Sequence, residues 1–436
     1  MSLLVHLPFI EDLRSKGLIE LPSFSRNSFT SNANGKLGSC YSGYGVISLP
    51  EEILGNAWSV ATWVKSTATW PTTNYIIFCK NISAATDCQI YFSIINGTSL
   101  NLGMNDDYMV DRCSYTFELD IWYHVAATYD GETYRLYING AEVKSGTSTL
   151  PMVENRLHLG IGCRSSNAAG TSATGADDGK FFNDFRLYNN AISAREVKEL
   201  SKGLVAHWKL DDLIGLDKIY DSSGYGHDGT LSPNPPINDA DSVRYSGCTA
   251  FASSSQNYID LGLDTWLPTE QISVSWWGYM TSWSSYGRAI SCTESGGWNF
   301  QPSSGKMVFP LYKTGFEYTR AYSTTPLANL SSGWHHFVGT FDGYATRIYI
   351  DGEYDGISTD SSPDVKTTIK YTARAKLFIG CEPSGANPYT PYFNGKLSDI
   401  RIYATALSAE DIKELYNTSA SIDNHHNVYA REFVEA

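Results

Sequence analysis

Apolar and polar positions along the chain follow a pattern that occurs twice. Residues 122–140 read WYHVAATYDGETYRLYING, and residues 334–352 read WHHFVGTFDGYATRIYIDG. In each, an aromatic-led run is followed by Asp-Gly, an alternating run, and then Asn-Gly or Asp-Gly. Alternation predicts strands. Asx-Gly between strands predicts tight turns with positive φ at both central residues. Each copy therefore predicts two consecutive hairpin corners of an antiparallel sheet. The offset is 212 at both ends (334 − 122 and 352 − 140), so the unit keeps its register.

The flanking segments repeat as well. LVHLPF (4–9) and VAHWKL (205–210) predict opening strands, with His6 opposite His207. A histidine repeated in this way reads as a satisfied strand residue. The polar span 23–38 reads as loop, and 46–49 and 258–261 as short strands. WSVATWVK (58–65) aligns with ISVSWWGY (272–279), placing Trp63 opposite Trp277. Neighbouring side chains of a strand face opposite ways, so Trp276 and Trp277 cannot enter one core. Thr62 stands where the second copy has Trp276. Runs 90–95 and 100–104 form a hairpin about Asn96-Gly97, matched by 298–301 and 307–312 about Pro-Ser-Ser-Gly. LHLGIG and LFIG, then FRLY and IRIY, supply the last strands.

Ser193-x-x-Glu196 and Ser408-x-x-Asp411 have capping-box spacing, with Ile192/Val197 and Leu407/Ile412 as staple pairs, so one short helix closes each copy. Lys202-Gly203 stops the first helix and a strand resumes at Leu204. Two domains follow, 1–202 and 203–418, with a polar tail at 419–436 in which His425-His426 reads as solvated.

The length of 436 residues fits two ordinary cores. With 29 Tyr, 18 Phe and 11 Trp against 18% charged residues, the composition suits packed β-sheets and aromatic ligand surfaces. Net charge is −14 with no basic run, which argues against nucleic acid and anionic membranes as partners. No apolar run is long enough for membrane insertion, and the N-terminus lacks the form of a secretory signal. The eight cysteines include no CxxC pair, and several recur at matching positions, so they read as buried thiols rather than disulfides.

These residues carry a family resemblance. The SVATWVK strand, the paired hairpins, the LxLG strand and the D-x-R-L/I-Y … A-L/I-S … E ending make each copy resemble a laminin-G-like, concanavalin A-like jelly roll. The resemblance spans nearly all of residues 1–418, twice. It implies an all-β chain of two tandem antiparallel jelly-roll β-sandwiches, each closed by one short α-helix. It also implies two sheets per sandwich, one with a concave face, often sugar-binding and sometimes calcium-containing.

Some enzymes of this fold use E-x-D-x-x-E on one strand, which sets two carboxylates on one face. Glu118-Leu-Asp120 approaches this but meets Tyr123, and Glu353-Tyr-Asp355 meets Ser358. No other acid–base or nucleophile motif occurs, so the expectation is a protein without enzymatic activity. Asp106 and Asp107, with Asp177 and Asp178, are candidate calcium ligands. The second copy lacks a clear equivalent, so Asx-turn chemistry is the preferred reading and no cofactor is required.

An aromatic sugar platform fits the composition best, because Trp and Tyr offer flat apolar faces beside polar tips. The candidates are Trp70, Tyr75 and Tyr108 in the first copy, and Trp283, Tyr286, Trp298, Tyr318 and Tyr389 in the second. The expected role is a non-enzymatic carbohydrate-binding, adhesion or decoration protein of a bacteriophage virion. Its expected partners are cell-surface or mucosal glycans and other virion proteins, with the tail as a docking segment. The alternatives are a carbohydrate-binding module pair of a secreted or cell-surface bacterial system, and a purely structural virion protein.

Overall fold

A computed structural model describes residues 3–7, 26–27, 29–47, 56–67, 74–80, 90–104, 107–148, 158–165, 173–174, 179–211, 217–242, 245–263, 266–280, 287–293, 296–315, 318–358, 366–372 and 376–417. The chain divides into two compact units, Met1–Lys202 and Gly203–Ala436. Among the described residues it is a β protein with two α-helices, α1 (Ala194–Ser201) and α2 (Ala409–Asn417). Each unit is a sandwich of two antiparallel sheets, one carrying the helix on its outer side (the helix sheet) and one without it (the far sheet).

In the first unit the helix sheet centres on Trp58–Ser66, flanked by Tyr123–Tyr129 and Lys180–Tyr188. The far sheet runs from Asp107–Ser114 through Ser99–Met104, Ile90–Ile95, Asn74–Lys80 and Leu159–Ile161 to Gly45–Ile47 and Arg26–Asn27. Alternation decides what lies between the sheets. Trp58, Val60 and Val64 meet Ile90, Phe92, Ile94, Leu100 and Leu102 in one fully buried cluster. Burying each large apolar side chain contributes roughly 1.5–3 kcal/mol.

The second unit repeats the plan. Ile272–Met280 is central, between Gly333–Phe341 and Gly395–Tyr403. Its far sheet has two parts, one ending at Ile290–Ser291 and one formed by Gln301–Ser303, Lys306–Leu311 and Thr319–Pro326. Bridges Ser291↔Asn299 and Trp298↔Leu311 join them. Trp276 turns inward and stacks on Phe337 with centroids 4.6 Å apart. Trp277 turns outward and forms a three-ring group with His336 (5.0 Å) and Tyr416 of α2 (5.4 Å), which are 6.0 Å from each other.

Both helices form as the spacing predicts. Ser193 Oγ accepts from the Glu196 N–H, and the Glu196 carboxylate accepts from the Ser193 N–H, completing the capping box. Ser408 and Asp411 repeat the exchange, with a longer return bond of 3.4 Å. Ile192 and Val197, then Leu407 and Ile412, are buried beneath their helices.

The hairpin corners come in two kinds. Asn139-Gly140 and Asp351-Gly352 have positive φ at both residues (49° and 80°, 51° and 79°), as a two-residue turn requires. Asp130-Gly131 and Asp342-Gly343 do not, since only the glycines are positive (101° and 95°). There the aspartate folds back instead. Asp130 Oδ1 accepts from the N–H groups of Glu132 and Thr133, and Asp342 Oδ1 from those of Tyr344 and Ala345. This Asx turn widens the corner. A second departure lies in the span expected as loop, where Thr30–Gly35 pairs with Gly38–Ser42. Its polar composition hides the strand from a reading based on apolar alternation.

Candidate functional site

The outer side of the second unit's far sheet gathers the aromatic groups best placed to meet a ligand. Phe309 and Leu311 point inward, so strand parity turns Pro310 and Tyr312 outward. Their cross-strand neighbours Arg320 and Tyr318 turn outward with them, and Tyr322 continues the same side of the edge strand Thr319–Pro326. The Tyr312 and Tyr318 rings lie 5.4 Å apart at 37°. The Arg320 guanidinium stacks over Tyr318 with its carbon 3.7 Å from the ring centre. Tyr318, Arg320 and Tyr312 are half-buried, and Tyr322 is 39% exposed. Two-residue steps of roughly 6.6–6.8 Å make Tyr318, Arg320 and Tyr322 a ladder suited to an extended ligand.

Inward along the sheet the row becomes buried and polar. Asn299, beside Pro310, pairs across to Ser291, which pairs to Phe378. Asn299 Nδ2 donates to Thr293 Oγ1 at 2.7 Å, while its Oδ1 is buried without a donor. The corresponding face in the first unit carries Ile76, Cys79 and Tyr91, a small cluster separate from the main core. Arg164 lies over Tyr91 there, 5.9 Å from the ring centre.

The sequence candidates fall in three groups. Tyr318 and Tyr389 stand on accessible surface, Tyr389 at 56% exposure. Trp298 and Tyr75 are corrections, since both are fully buried. Trp298 points inward, packs near Phe309 (6.3 Å) and donates to Tyr371 Oη at 3.2 Å. Tyr75 lies in the first core and donates to the Lys65 carbonyl at 3.0 Å. Neither can offer a face to a sugar. Trp70, Trp283, Tyr286, Asp106, Asp177 and Asp178 lie outside the described residues. Tyr108 and Asp107 belong to the strand Asp107–Ser114, with only their backbone described. Among the described residues, no group of three or more His, Cys, Asp and Glu gathers to hold a metal ion.

Sequence reasoning missed a polar cluster on the helix sheet of the second unit. His207 Nε2 lies 2.9 Å from Asp399 Oδ1, which also accepts from Arg401 Nε at 2.7 Å and from Tyr245 Oη at 3.2 Å. His207, Asp399 and Arg401 are almost wholly enclosed. Asp399 has φ 50° at a register shift, and Asp184 repeats this with φ 53° and an Arg186 pair at 2.8 Å. The D-x-R signal therefore marks a pinned β-bulge, with the carboxylate turned back to hold its own strand. The described cysteines are not joined in disulfides. Cys113 is half-buried and Cys40, Cys79, Cys163, Cys248, Cys292 and Cys381 are buried. Burial pushes the Cys248 and Cys381 thiols up to about 12, so they act as small apolar residues.

A laminin G family model, described as the concanavalin A-like lectin/glucanases superfamily, matches residues 41–198 and 253–413. The chain belongs to this superfamily. Its two matched segments fall one in each compact unit. No curated protein matches the chain. Among solved structures, it is similar to domain 4 of an extracellular arabinanase from Geobacillus stearothermophilus, in complex with arabinotriose. There identity is 18%, TM-score 0.38, and coverage 49% of this chain and 98% of that one. It is similar to the receptor-binding domain of botulinum neurotoxin mosaic serotype C/D, at 13% identity and TM-score 0.38, covering 86% and 97%. It is also similar to domains LG4-5 of the mouse laminin alpha1 chain, at 12% identity and TM-score 0.26, covering 90% and 96%.

Proposed function

We propose that the protein is a non-enzymatic carbohydrate-binding protein that takes an extended glycan along the outer side of its far sheets. The observation that carries this is the Tyr318–Arg320–Tyr322 ladder with Tyr312 beside it. Flat rings on a rigid strand can stack on the C–H faces of successive sugars, and phenol and guanidinium groups can bond hydroxyls. Membership of a lectin and glucanase superfamily supports the ligand class. In the second unit the carboxylates nearest to a glucanase pattern are otherwise engaged, which supports binding without turnover there. Asp355 accepts from Thr324 Oγ1 and from the N–H and Oγ1 of Thr325, and Glu353 pairs with Lys413.

The biological setting we propose is adhesion or decoration on a bacteriophage virion. A virion protein folds in a reducing cytoplasm, which suits buried thiols not joined in disulfides, and display in many copies would add avidity to weak sites. Capsid, portal or tail genes beside its own would support this setting. Glycosidase or transport genes would favour a module of a secreted system.

A glycan array followed by calorimetry on the full chain tests the binding reading. Tyr318→Ala and Tyr322→Ala are expected to weaken glycan binding about tenfold each, as for loss of one stacking face. Absence of any glycan ligand, or parental affinity in both variants, would reject it.

A further inference from the structure

Several arginines of this chain are held by carboxylates. Arg135 pairs with Asp130, Arg186 with Asp184, Arg288 with Glu382, Arg347 with Asp342 and Arg401 with Asp399. Arg320 and Arg164 differ. Each is half-buried, each lies over a tyrosine ring on the outer side of a far sheet, and neither has an acidic partner among the described residues. The Nε of Arg164 is buried without an acceptor. The repeat does not impose this likeness. Arg164 follows the strand Leu159–Ile161, whereas Arg320 lies in the edge strand Thr319–Pro326.

Acidic residues outnumber basic ones 46 to 32, so carboxylates are available to pair with cations. Partly burying a guanidinium costs desolvation, which a carboxylate normally offsets. Stacking on tyrosine fixes the plane of the group and leaves its N–H fork open to a planar anion. We infer that the saccharide is anionic. Its carboxylate or sulfate is taken by Arg320 in the second unit and by Arg164 in the first, while in the second unit its rings lie on the neighbouring Tyr312 and Tyr322. The inference rests on the carbohydrate reading and narrows its ligand class.

The full chain is titrated with a uronate oligosaccharide, a sulfated oligosaccharide and a neutral oligosaccharide of equal length, at low and high salt. One acidic arm is expected to bind more tightly than the neutral arm and to weaken with salt. Arg320→Gln is expected to lower that affinity about tenfold or more, as for loss of a charge-assisted bond. Arg320→Lys is expected to recover part of it, and Arg164→Gln to remove a second, independent site. Melting curves of each variant exclude unfolding as the cause. Equal binding of the neutral arm, unaffected by Arg320→Gln, would overturn the anionic ligand while leaving sugar binding intact. Binding in none of the three arms would overturn both.

Discussion

His335 Nδ1 donates to Asp351 Oδ2 at 2.7 Å, joining the start of one strand to the turn that ends its hairpin. The other oxygen of Asp351 accepts from the His336 N–H at 2.9 Å, and His335 Nε2 faces the Ser331 carbonyl at 3.1 Å. Both imidazole nitrogens thus meet acceptors, a setting that favours the protonated ring. The bond to Asp351 raises the His335 pKa above its ordinary value, against an opposing effect of burial. At the same places in the first unit stand Tyr123 and Asn139, so that unit has no such tie.

The pH dependence follows from that direction. A histidine whose folded pKa exceeds its unfolded value of about 6.5 adds stability in full below that value. The contribution is lost as pH rises through the folded pKa. Asp351→Asn should flatten the decline in second-unit stability above neutrality. Denaturant midpoints across that range check this, and an unchanged slope in the variant would reject the tie as a titrating pair.

His124 predicts the opposite sign. It is fully buried against Trp63, with ring centroids 5.3 Å apart, and burial lowers its pKa to about 4. The unfolded chain takes up a proton near 6.5, so stability falls as pH drops from there toward 4. The difference amounts to roughly 3 kcal/mol at full effect. The first unit should therefore lose stability as pH falls from about 6.5 toward 4, and His124→Phe should remove much of that acid sensitivity.

What the sequence disclosed was local chemistry. Asn139-Gly140 and Ser193-x-x-Glu196 are legible because turn and cap bonds join residues only one to three positions apart. Trp276 and Trp277 had to part because strand geometry is local too. Trp298 was misplaced because its surroundings are distant, with Phe309 and Tyr371 supplied by other segments. The ladder Tyr318–Arg320–Tyr322 was only partly visible. Its strand, TRAYSTTP, is polar, ends in proline and lacks apolar alternation, so the outward parity of Arg320 emerges only from its pairing with Pro310.

The caps should rank by geometry. Ser193→Ala removes both a hydroxyl acceptor and the anchor of the Glu196 return bond, and is expected to cost about 1 kcal/mol. Ser408→Ala should cost less, since the Asp411 return bond is already long at 3.4 Å. Chemical denaturation of the two variants, following each unit's transition, gives the comparison. A larger loss at Ser408 would contradict it.

Gly339 and Phe309 make the sharpest packing test. A Cβ built on Gly339 would lie 2.5–2.7 Å from three atoms of the Phe309 ring, closer than real contacts allow. Gly339 is in the middle of the strand Gly333–Phe341, where glycine costs roughly 0.5–1 kcal/mol relative to alanine. The first unit has Ala127 at this place in the repeat, so the sheet itself accepts a side chain there. The missing methyl group is therefore explained by the ring, and the two residues should be coupled. Gly339→Ala alone is expected to destabilise the second unit by about 1–3 kcal/mol through overpacking, despite its better strand propensity. Phe309→Ala alone should cost stability by leaving a cavity. In the double variant alanine removes the Cγ, Cδ1 and Cδ2 atoms that the new methyl group would meet, so the combined loss should fall well short of the sum. Denaturant unfolding of the four proteins in the cycle measures the coupling. Simple additivity would show that the ring can shift aside at no cost, and that Gly339 is there for some reason other than Phe309.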